Sequence, residues 1–548
     1  MHESLLVKDL VDKDSLDNDS LPAHVTKHFN TAGPQIASLH YSIDPLVRID
    51  CPMIESLVAQ QRYFVLHAPR QTGKTTCMLA LRDYFNAGSD YCAIYANIEN
   101  AQAMRGNVLE SLRGIISRIA SQATLLFGAV VPKEALNAIK QNPDSDSLTE
   151  ALRILSEALP RPLVFFLDEV DSLVGDTLIS VLRQIRAGYT DRPAHFPHSI
   201  VLCGVRDVRD YRMTMGDGEV ITGGSAFNIK AESLRLGDFS RAELEALYAQ
   251  HTEASGQVFT PQALEIGWES TRGQPWLTNA LAEQAVWKTA ANLDRAVVID
   301  ETRMRAAREA LILRNDSHLD QLAAKLLEPR VRAVIAPMLE GQISSPMQAD
   351  RQYLFDLGLI RNDNASGLAP ANGIYAEVMP RVLAGAAQSQ IHGEHIISSW
   401  KNTAGKLDPQ QFLRNFFDFW LAHGEPMMRT VPYHEVAPTL VLMAYLQRVI
   451  NGAGRIEREY AAGSGRLDLL VVQGDVRMAM EVKVWRDARP DPQIEGLLQI
   501  ERYLQRLNLA EGFLVIFDQR TTAPEWQKRM CASEAVTASG RKIWVMRG

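Results

Sequence analysis

A glycine, a lysine and two threonines near residue 75 form the most specific chemical motif of this sequence. An apolar segment, residues 64–67, precedes the motif, and helix-forming residues follow it. The motif itself consists of Ala68, Pro69, Arg70, Gln71, Thr72, Gly73, Lys74, Thr75 and Thr76. A strand, a loop ending in Gly-Lys-Thr and a helix, in this order, predict a phosphate-binding P-loop. Backbone N–H groups would hold phosphate oxygens, Lys74 would neutralise the β- and γ-phosphates, and Thr75 would bind Mg²⁺. Ala68 replaces the usual first glycine, but the end that carries the chemistry is intact.

Two acidic residues end a second apolar segment. Residues 163–167 are typical of a buried strand, and Asp168 and Glu169 follow them. This is the Walker B pattern, in which Asp168 would hold Mg²⁺ through water and Glu169 would polarise the attacking water. The alternative is an unrelated loop together with an acidic pair that merely caps a strand. Because both motifs occur in order, each at a strand end, the sequence predicts ATP binding and hydrolysis.

Charged residues also interrupt two apolar segments near residue 475. Asp468 opens the first segment, Glu481 and Lys483 lie in the second, and the turn 473–475 joins them. Antiparallel pairing would bring Asp468 close to Glu481, and Lys483 would lie on the same strand face as Glu481. Two carboxylates and an ammonium suit a Mg²⁺ site with a group that orients water. The alternative is an exposed strand with alternating charges.

Length and composition limit what kind of protein can carry these motifs. A chain of 548 residues predicts three or four domains, and a formal net charge of −8 argues against a wholly basic nucleic-acid binder. The five cysteines have no paired spacing, so a disulfide scaffold and a structural zinc site are not expected. The acidic N-terminus does not read as a secretory signal, and the apolar segments are far shorter than a membrane helix. We therefore expect a cytoplasmic protein.

The pattern of apolar segments predicts the elements that must position the motifs. From about 40 to 290, short apolar runs alternate with helical patterns, which is typical of a parallel sheet covered by helices. Near the C-terminus a helix, three strands, a further helix and a strand predict a second, smaller α/β unit. Residues 1–38 are predicted to form a mobile or loosely docked arm.

The N-terminal motifs together resemble those of bacterial AAA-like ATPases of the origin-recognition/STAND type, over about residues 35–390. The resemblance rests on APRQTGKTT, FFLDEVD, GVRDVRDY at 204–211 and GQPWLTNAL at 273–281. It implies that Arg206 and Arg209 respond to the γ-phosphate, that one of them acts across a subunit boundary in a homo-oligomer, and that residues 273–275 form a lid motif ending at Pro275. A surface salt bridge for the arginines and a simple helix start at Pro275 remain open.

The segment that follows also resembles a unit of related ATPases. The segments of residues 320–385 follow the order of a winged helix. Helices come first, followed by segment 353–360, a polar turn and segment 373–378. Such a unit would either place a helix in a DNA groove or act as a regulatory spacer. Asp356 and Asp363 keep the segment from being notably basic, which favours regulation or docking.

The C-terminal order of Asp, Glu-x-Lys and a helical Gln-x-x-x-Tyr resembles the PD-(D/E)XK nuclease superfamily in its RecB-type variant, over about residues 400–520. Leu467 stands in place of the proline of the name. The resemblance implies that Asp468, Glu481 and the main-chain carbonyl of Val482 bind Mg²⁺. Other members of the site follow from the resemblance as well: Lys483, Gln499 and Tyr503 as catalytic residues, and Glu435 as an acid from the first helix. For Glu435, a helix N-terminal acid without metal is the alternative.

These expectations combine into one hypothesis about architecture and function. The predicted division is an arm at 1–38, an AAA-like P-loop ATPase with lid at 39–300, a winged-helix segment at 301–392 and a nuclease-like α/β domain at 393–548. The predicted function is ATP-regulated, Mg²⁺-dependent cleavage of nucleic acid, DNA rather than RNA, with defence against foreign DNA as an analogy only. One alternative is a nucleotide switch whose C-terminal domain binds nucleic acid without cutting it. Another is a nuclease whose P-loop binds ATP without hydrolysing it.

Overall fold

The computed structural model describes residues 27–104, 107–141, 145–206, 212–214, 220–222, 227–288, 293–314, 317–339, 347–363, 367–388, 407–430, 437–450, 455–459 and 468–548. The chain forms two compact units. The first comprises Met1–Leu311 with Asp356–Gly358, and the second comprises Ile312–Phe355 with Leu359–Gly548. The four-part division given above stays a prediction.

The first unit contains a five-stranded parallel sheet with the order β2-β3-β4-β1-β7. Its strands are β1 (Tyr63–His67), β2 (Cys92–Asn97), β3 (Leu163–Asp168), β4 (Ser199–Gly204) and β7 (Lys230–Arg235), and the short pair β5 (Arg212–Thr214) and β6 (Val220–Thr222) lies outside the sheet. The three inner strands and the edge strand β2 are buried almost throughout, as expected when helices cover both faces. The predicted α/β fold with a parallel sheet is confirmed.

Helices pack on both faces of this sheet: α1 (Cys51–Ala59) and α2 (Lys74–Ala87) on one, and α3 (Val108–Phe127), α4 (Lys133–Gln141), α5 (Ser147–Ala158) and α6 (Asp176–Ala187) on the other. Four further helices follow the last strand: α7 (Arg241–Ser255), α8 (Pro261–Thr271), α9 (Pro275–Val286) and α10 (Glu301–Leu313). Alternate residues of β1 belong to two separate apolar cores: Phe64 and Leu66 to one, Tyr63 and Val65 to the other. Because all strands are parallel, their carboxyl ends meet at one edge, where ligands bind in such sheets.

Residues 27–45 pack against the helices α7 and α9. The ring of Phe29 is buried and lies 4.9 Å from that of Tyr41 and 5.7 Å from that of Tyr248. The indole N–H of Trp276 donates to the carbonyl of Thr31 at 2.9 Å. The buried ring of Phe29 docks residues 27–38 of the predicted arm onto the first unit. Residues 1–26 lie outside the described residues.

The second unit begins with helices and a hairpin. Its first elements are α11 (Ser317–Leu326), α12 (Pro329–Leu339), α13 (Gln348–Asp356), β8 (Ile360–Asp363), β9 (Gly367–Pro370) and α14 (Gly373–Gln388). The strands β8 and β9 pair antiparallel around the predicted polar turn. Residues 373–378, which follow that turn, form the start of a helix.

A six-stranded mixed sheet forms the rest of the second unit, with the order β10-β11-β12-β13-β15-β14. Its elements are α15 (Pro409–Thr430), α16 (Ala437–Ile450), β10 (Arg455–Glu459), β11 (Asp468–Gln473), β12 (Val476–Trp485), α17 (Gln493–Leu507), β13 (Glu511–Asp518), β14 (Cys531–Val536) and β15 (Lys542–Arg547). Ile500 and Leu504 of α17 pack on one face of the sheet, next to Leu470 and Leu514. On β13, Phe517 contacts the aromatic rings of α15.

Neither a membrane-spanning helix nor a disulfide bond is found in the part of the chain that the structure describes. Among the residues that the structure describes, no helix combines the length and the apolar character needed to cross a bilayer. All five cysteines are free thiols.

Candidate functional site

The loop between β1 and α2 wraps around the ammonium group of Lys74. Lys74 Nζ donates to the carbonyl oxygens of Ala68 and Pro69, each at 3.0 Å, and Thr72 Oγ1 donates to the Pro69 carbonyl at 2.8 Å. Lys74 and Thr72 are buried, whereas Arg70 and Gln71 are exposed at the tip of the loop. The loop therefore places the positively charged ammonium group of Lys74 at its centre.

The backbone of the loop requires unusual dihedral angles. Gly73 has φ +87° and Gln71 has φ +60°, both in the left-handed region, which glycine adopts readily and other residues seldom do. Gly73 is the N-cap of α2, and among the described side chains none caps this helix. The first N–H groups of α2 can therefore bind an anion, as helix N-termini do.

Asp168, at the end of β3, connects the loop to the sheet. Its side chain is fully buried, and its Oδ2 accepts a hydrogen bond from Thr75 Oγ1 at 2.8 Å. The Tyr95 hydroxyl of β2 donates to the same oxygen at 2.8 Å, and the N–H of Glu169 donates to Oδ1 at 2.9 Å. The carboxylate of Asp168 and the hydroxyl of Thr75 supply oxygen ligands of the kind that Mg²⁺ prefers. Thr75 and Asp168, predicted to share a metal, thus lie together.

Tyr95 is a residue of this site that the motif analysis missed. Burial and the neighbouring Asp168 carboxylate raise the pKa of Tyr95 above its ordinary value, so the phenol keeps its proton. The available signal was weak: one tyrosine in a short apolar segment is usually a core residue. A buried tyrosine hydroxyl nevertheless needs a partner, and the fold supplies the Walker B carboxylate.

Glu169 is half-buried and lies just beyond Asp168 with φ +62°. Burial, followed by the charges of Asp171 and Asp168, raises the pKa of Glu169 to about 7. A carboxyl group with a pKa near neutrality can accept a proton more effectively than an ordinary one. The position of Glu169 beside Asp168 and its raised pKa therefore suit its predicted role as general base.

The predicted sensor arginines are only partly described. Arg206 follows the end of β4 by two residues, and the N–H of Val205 beside it donates to Asp171 Oδ1 at 3.1 Å. This contact joins the end of β4 to the turn after Glu169. Arg209 lies outside the described residues, so its predicted role is not tested.

A cavity of about 140 Å³ adjoins the loop. It is lined by segment 30–48, the loop, α9 and Phe239, with Asn30, Arg48, Gln71, Trp276 and Asn279 among the lining residues. Arg48 was not predicted: its guanidinium lies 4.6 Å from the centre of the Phe239 ring and donates to the Gly237 carbonyl at 2.9 Å. No motif marks Arg48, because only folding brings it to the loop.

The predicted lid motif at 273–275 is a tight turn that begins α9. Gly273 has φ +78°, and a Cβ atom there would lie 1.8 Å from the carbonyl oxygen of Phe239. Gln274 caps the helix through the N–H of Leu277 at 2.6 Å, and Pro275 is its first residue. Gln274 Nε2 also donates to the Gln71 carbonyl at 3.4 Å. The helix-start interpretation of Pro275 is thus confirmed, and the turn also contacts the P-loop.

Thr76, the last residue of the motif, contacts the N-terminal segment. The N–H of Gln35 donates to Thr76 Oγ1 at 3.2 Å, and the N–H of Asn30 donates to Asn279 Oδ1, also at 3.2 Å. Segment 30–35 therefore links the P-loop helix α2 to α9 along the cavity.

The second unit brings a carboxylate, an ammonium and an amide together under α17. Lys483 Nζ donates to Glu481 Oε1 and to Gln499 Oε1. Glu481 is fully buried and Lys483 is 7% exposed. A buried ion pair costs desolvation free energy and is weak evidence for stability, so such a pair in an apolar strand favours a functional role.

The register of the strands predicts where Asp468 lies. Leu469 pairs with Met480, so the next step along the antiparallel ladder places Asp468 opposite Glu481. For Asp468 the structure describes the backbone alone. Among the described side chains, no three His, Cys, Asp or Glu residues form a group that could hold a metal. Oxygen donors from Glu481 and the Val482 carbonyl would still suit Mg²⁺.

Two further residues were predicted for this site, Tyr503 and Glu435. Tyr503 follows Gln499 by one helical turn and lines a small cavity with Leu470, Met480 and Ile500. Glu435 lies outside the described residues, two positions before α16. Of the predicted nuclease residues, Lys483 thus contacts both Glu481 and Gln499.

Comparisons with known proteins give distant similarity alone. No protein-family model and no curated protein matches the chain. Among solved structures, the chain is similar to the Walker-type ATPase PABY2304 of Pyrococcus abyssi, with 14% identity, 64% of this chain and 99% of that chain covered, and a TM-score of 0.46. It is also similar to Cdc6p from Pyrobaculum aerophilum (13% identity, 66% and 96% covered, TM-score 0.33) and to the RuvB Holliday junction branch migration motor of Thermotoga maritima (13%, 60% and 92%, TM-score 0.32). The candidate sites are defined by this chain's own residues.

Proposed function

We propose that the first unit binds ATP and hydrolyses it with Mg²⁺. The observation that carries this proposal is the 2.8 Å contact between Thr75 Oγ1 and Asp168 Oδ2. It joins the P-loop hydroxyl to the Walker B carboxylate beside the loop that encloses Lys74. Either motif alone could be a coincidence of sequence, but their contact is the arrangement that nucleotide hydrolysis needs.

Each residue of the site has a separate task in this proposal. Lys74 would exchange its bonds to loop carbonyls for bonds to the β- and γ-phosphates, aided by the N-terminus of α2. A bound Mg²⁺ would neutralise the phosphate charge, with Thr75 and Asp168 as the residues that hold it. Glu169 would accept a proton from the attacking water. Arg48 and the adjoining cavity would receive the rest of the nucleotide.

The sensor arginines and the oligomeric state belong to the proposal as well. Arg206 lies near the end of β4, close to the Asp171 turn, and would respond to the γ-phosphate. Arg206 or Arg209 would act on a neighbouring subunit, which makes the active ATPase a homo-oligomer. Sedimentation with ATP and specific activity as a function of protein concentration test this part of the proposal.

Phosphate release by the purified protein tests the ATPase proposal. We expect Mg²⁺-dependent release from the wild type, and loss of both nucleotide binding and hydrolysis in Lys74→Ala. Lys133→Ala, which removes an exposed lysine of α4, is the matched control and should behave as the wild type. A Lys74→Ala protein that hydrolyses ATP at the wild-type rate would contradict the proposal.

We further propose that the second unit is a Mg²⁺-dependent nuclease of the PD-(D/E)XK type. The buried contacts of Lys483 with Glu481 and Gln499 support it, together with the register that brings Asp468 opposite Glu481. Asp468, Glu481, the Val482 carbonyl and Glu435 would hold the metal, and Lys483 would orient water or stabilise the developing charge. Gln499 would hold Lys483 in place, and Tyr503 would contact substrate or metal from the next turn of α17.

The combined activity would be ATP-regulated cleavage of nucleic acid, DNA rather than RNA. The winged-helix segment would dock or regulate, and defence against foreign DNA is a context that rests on resemblance alone. The second candidate function is a nucleotide switch whose second unit binds nucleic acid without cutting it. It is favoured if the charges of Glu481 and Lys483 only neutralise each other in the core and hold no metal.

Incubation of the protein with single- and double-stranded DNA and RNA, with and without ATP and Mg²⁺, separates these functions. We expect cleavage of DNA with Mg²⁺ and a change in its rate with ATP. The Asp468→Ala, Glu481→Ala double variant should bind nucleic acid but not cut it. Undiminished cleavage by this double variant would rule out the proposed site, and binding without cleavage by the wild type would favour the switch.

A further inference from the structure

Tyr95 and Thr75 donate hydrogen bonds to the same oxygen of Asp168. Both hydroxyl groups lie 2.8 Å from Asp168 Oδ2, and the N–H of Glu169 occupies Oδ1 at 2.9 Å. A carboxylate carries no proton, so the tyrosine hydroxyl must be the donor in this contact. These three donors, together with the thiol of Cys203 at β4, fix the orientation of one carboxylate.

The position of Tyr95 in the sheet explains how its hydroxyl reaches that carboxylate. β2 and β3 are parallel, with Tyr95 beside Phe166 and Asn97 beside Asp168. Tyr95 and Phe166 belong to the core under α2, and Asp168 shares the face of Phe166 because it lies two residues further along β3. The ring of Tyr95 thus extends along the sheet toward the strand end.

Packing alone does not require a hydroxyl at this position. The adjacent residues Ile94 and Ala96 are apolar and buried, and the polar residue of β2 near the hydroxyl is Asn97, which also hydrogen-bonds it. A phenylalanine would fill the same space and would avoid the cost of burying a hydroxyl group. The hydroxyl is therefore explained by its polar partners at the strand end, foremost the carboxylate of Asp168.

We infer that Tyr95 is a positioning residue for Mg²⁺, holding Asp168 in the orientation that lets Thr75 and Asp168 share the ion. The inference rests on the proposed ATPase function of the first unit. Residues that hydrogen-bond a metal-binding carboxylate keep it oriented, and their loss typically lowers metal affinity by about 10–100-fold. Tyr95 would not touch nucleotide, so its contribution should be confined to the metal.

Binding of fluorescent ADP to the full chain separates the metal from the nucleotide. Affinity is measured in EDTA and then as a function of Mg²⁺, for the wild type and for Tyr95→Phe, which retains the ring. We expect unchanged affinity in EDTA, and a rise of about 10-fold or more in the Mg²⁺ concentration that gives half the enhancement.

Tyr63→Phe is the matched control. Tyr63 is a fully buried tyrosine of β1 in the same sheet, and its hydroxyl donates to the Pro197 carbonyl at 2.9 Å. It should lose a comparable hydrogen bond without changing the Mg²⁺ response, and melting curves of both variants report their folding. In an Asp168→Asn background, Tyr95→Phe should add little further loss, since its partner charge is already removed.

The outcomes distinguish the inference from the proposed function. A wild type that does not bind ADP would contradict the nucleotide site and, with it, the role of Tyr95. Normal nucleotide binding with a wild-type Mg²⁺ response in Tyr95→Phe would overturn the role of Tyr95 alone. An equal shift in Tyr63→Phe would overturn it as well, because the effect would then be general loosening of the sheet.

Discussion

The two candidate sites use different parts of a β-sheet. In the first unit, Asp168 ends β3 and the loop with Lys74 follows β1, so the site lies where parallel strands stop. In the second unit, Glu481 and Lys483 lie inside β12, which pairs with a strand on each side. Strand ends offer unpaired backbone N–H groups to a ligand, whereas most backbone groups of a central strand are paired, so Glu481 and Lys483 act there through their side chains.

This difference predicts how each site responds to mutation. The first site depends on backbone conformation, as the left-handed angles of Gln71 and Gly73 indicate. The second depends on charges removed from water, since Glu481 and Lys483 are buried against each other. Changes of backbone freedom in the loop should damage the first site alone, whereas isosteric loss of a catalytic charge should damage either site.

The largest expected effect is on ATP hydrolysis when the base of the first site is removed. Glu169→Gln keeps the shape of the side chain but cannot accept a proton, so kcat should fall by about 10²–10⁴. Nucleotide affinity should stay near that of the wild type, because Lys74 and the loop remain. Phosphate release and fluorescent nucleotide binding measure the two quantities.

The control for this prediction is Glu99→Gln, which neutralises an exposed acid near Glu169. It should hydrolyse ATP at nearly the wild-type rate. If Glu169→Gln remained as active as Glu99→Gln, the assignment of Glu169 as base would be wrong.

The second largest effect should be on cleavage of nucleic acid. Glu481→Gln retains the volume of the buried side chain but removes the charge that would hold the metal beside Lys483. Loss of one such electrostatic group typically lowers the rate by about 10²–10³. ATP hydrolysis should not change, because the first unit contains all residues proposed for it. A nicking assay beside a phosphate-release assay measures both activities.

Glu534→Gln is the matched control, since Glu534 is an exposed acid of β14 paired with Lys542 at 3.0 Å. Lys483→Ala should lose cleavage while retaining part of the metal binding. Equal loss of ATP hydrolysis and cleavage in Glu481→Gln would show that the sites are not independent and would contradict the comparison.

A smaller effect concerns the free energy of unfolding. Gly273→Ala combines a left-handed backbone with a Cβ only 1.8 Å from the Phe239 carbonyl oxygen, so it should cost about 3 kcal/mol or more. Gly474→Ala, in the hairpin between β11 and β12, has a left-handed angle but open space, and should cost about 1 kcal/mol. Urea denaturation followed by circular dichroism compares them. Equal costs would indicate that the backbone near Phe239 adapts freely.

The smallest expected effect concerns the link from segment 30–35 to α2. Thr76→Val removes the acceptor of the Gln35 N–H and should lower the free energy of unfolding by about 0.5–1.5 kcal/mol. Thr521→Val, at an exposed hydroxyl of the second unit, is the control and should be closer to neutral. Denaturation of both variants under the same conditions measures the difference. A Thr76→Val protein as stable as its control would show that this link adds nothing.

Apolar periodicity predicted much of both sheets. The strands of the first unit from Tyr63 to Gly204 were recognisable because both faces are covered, which makes them continuously apolar. The final pair β14 and β15 was missed, because β14 is largely exposed and carries little apolar signal. For residues 373–378 the sequence predicted only their place after the polar turn, since a short apolar run fits a helix as well as a strand, and they begin a helix.

The sequence by itself determined which groups could do chemistry. Gly73, Lys74, Thr75, Asp168 and Glu169 are recognisable because phosphate binding requires fixed residue types at fixed local spacing. Period-two alternation likewise predicted that Glu481 and Lys483 share a face, since it is a property of any extended strand.

Only the tertiary structure decided which distant groups complete these sites. Tyr95, Arg48 and Gln274 reach the P-loop from segments up to about two hundred residues away, and no local pattern encodes those meetings. The raised pKa of Glu169 has the same origin, since burial and the neighbouring charges exist only in the folded chain. Local chemistry can be read from spacing, but proximity and desolvation arise when the sheet and its helices pack.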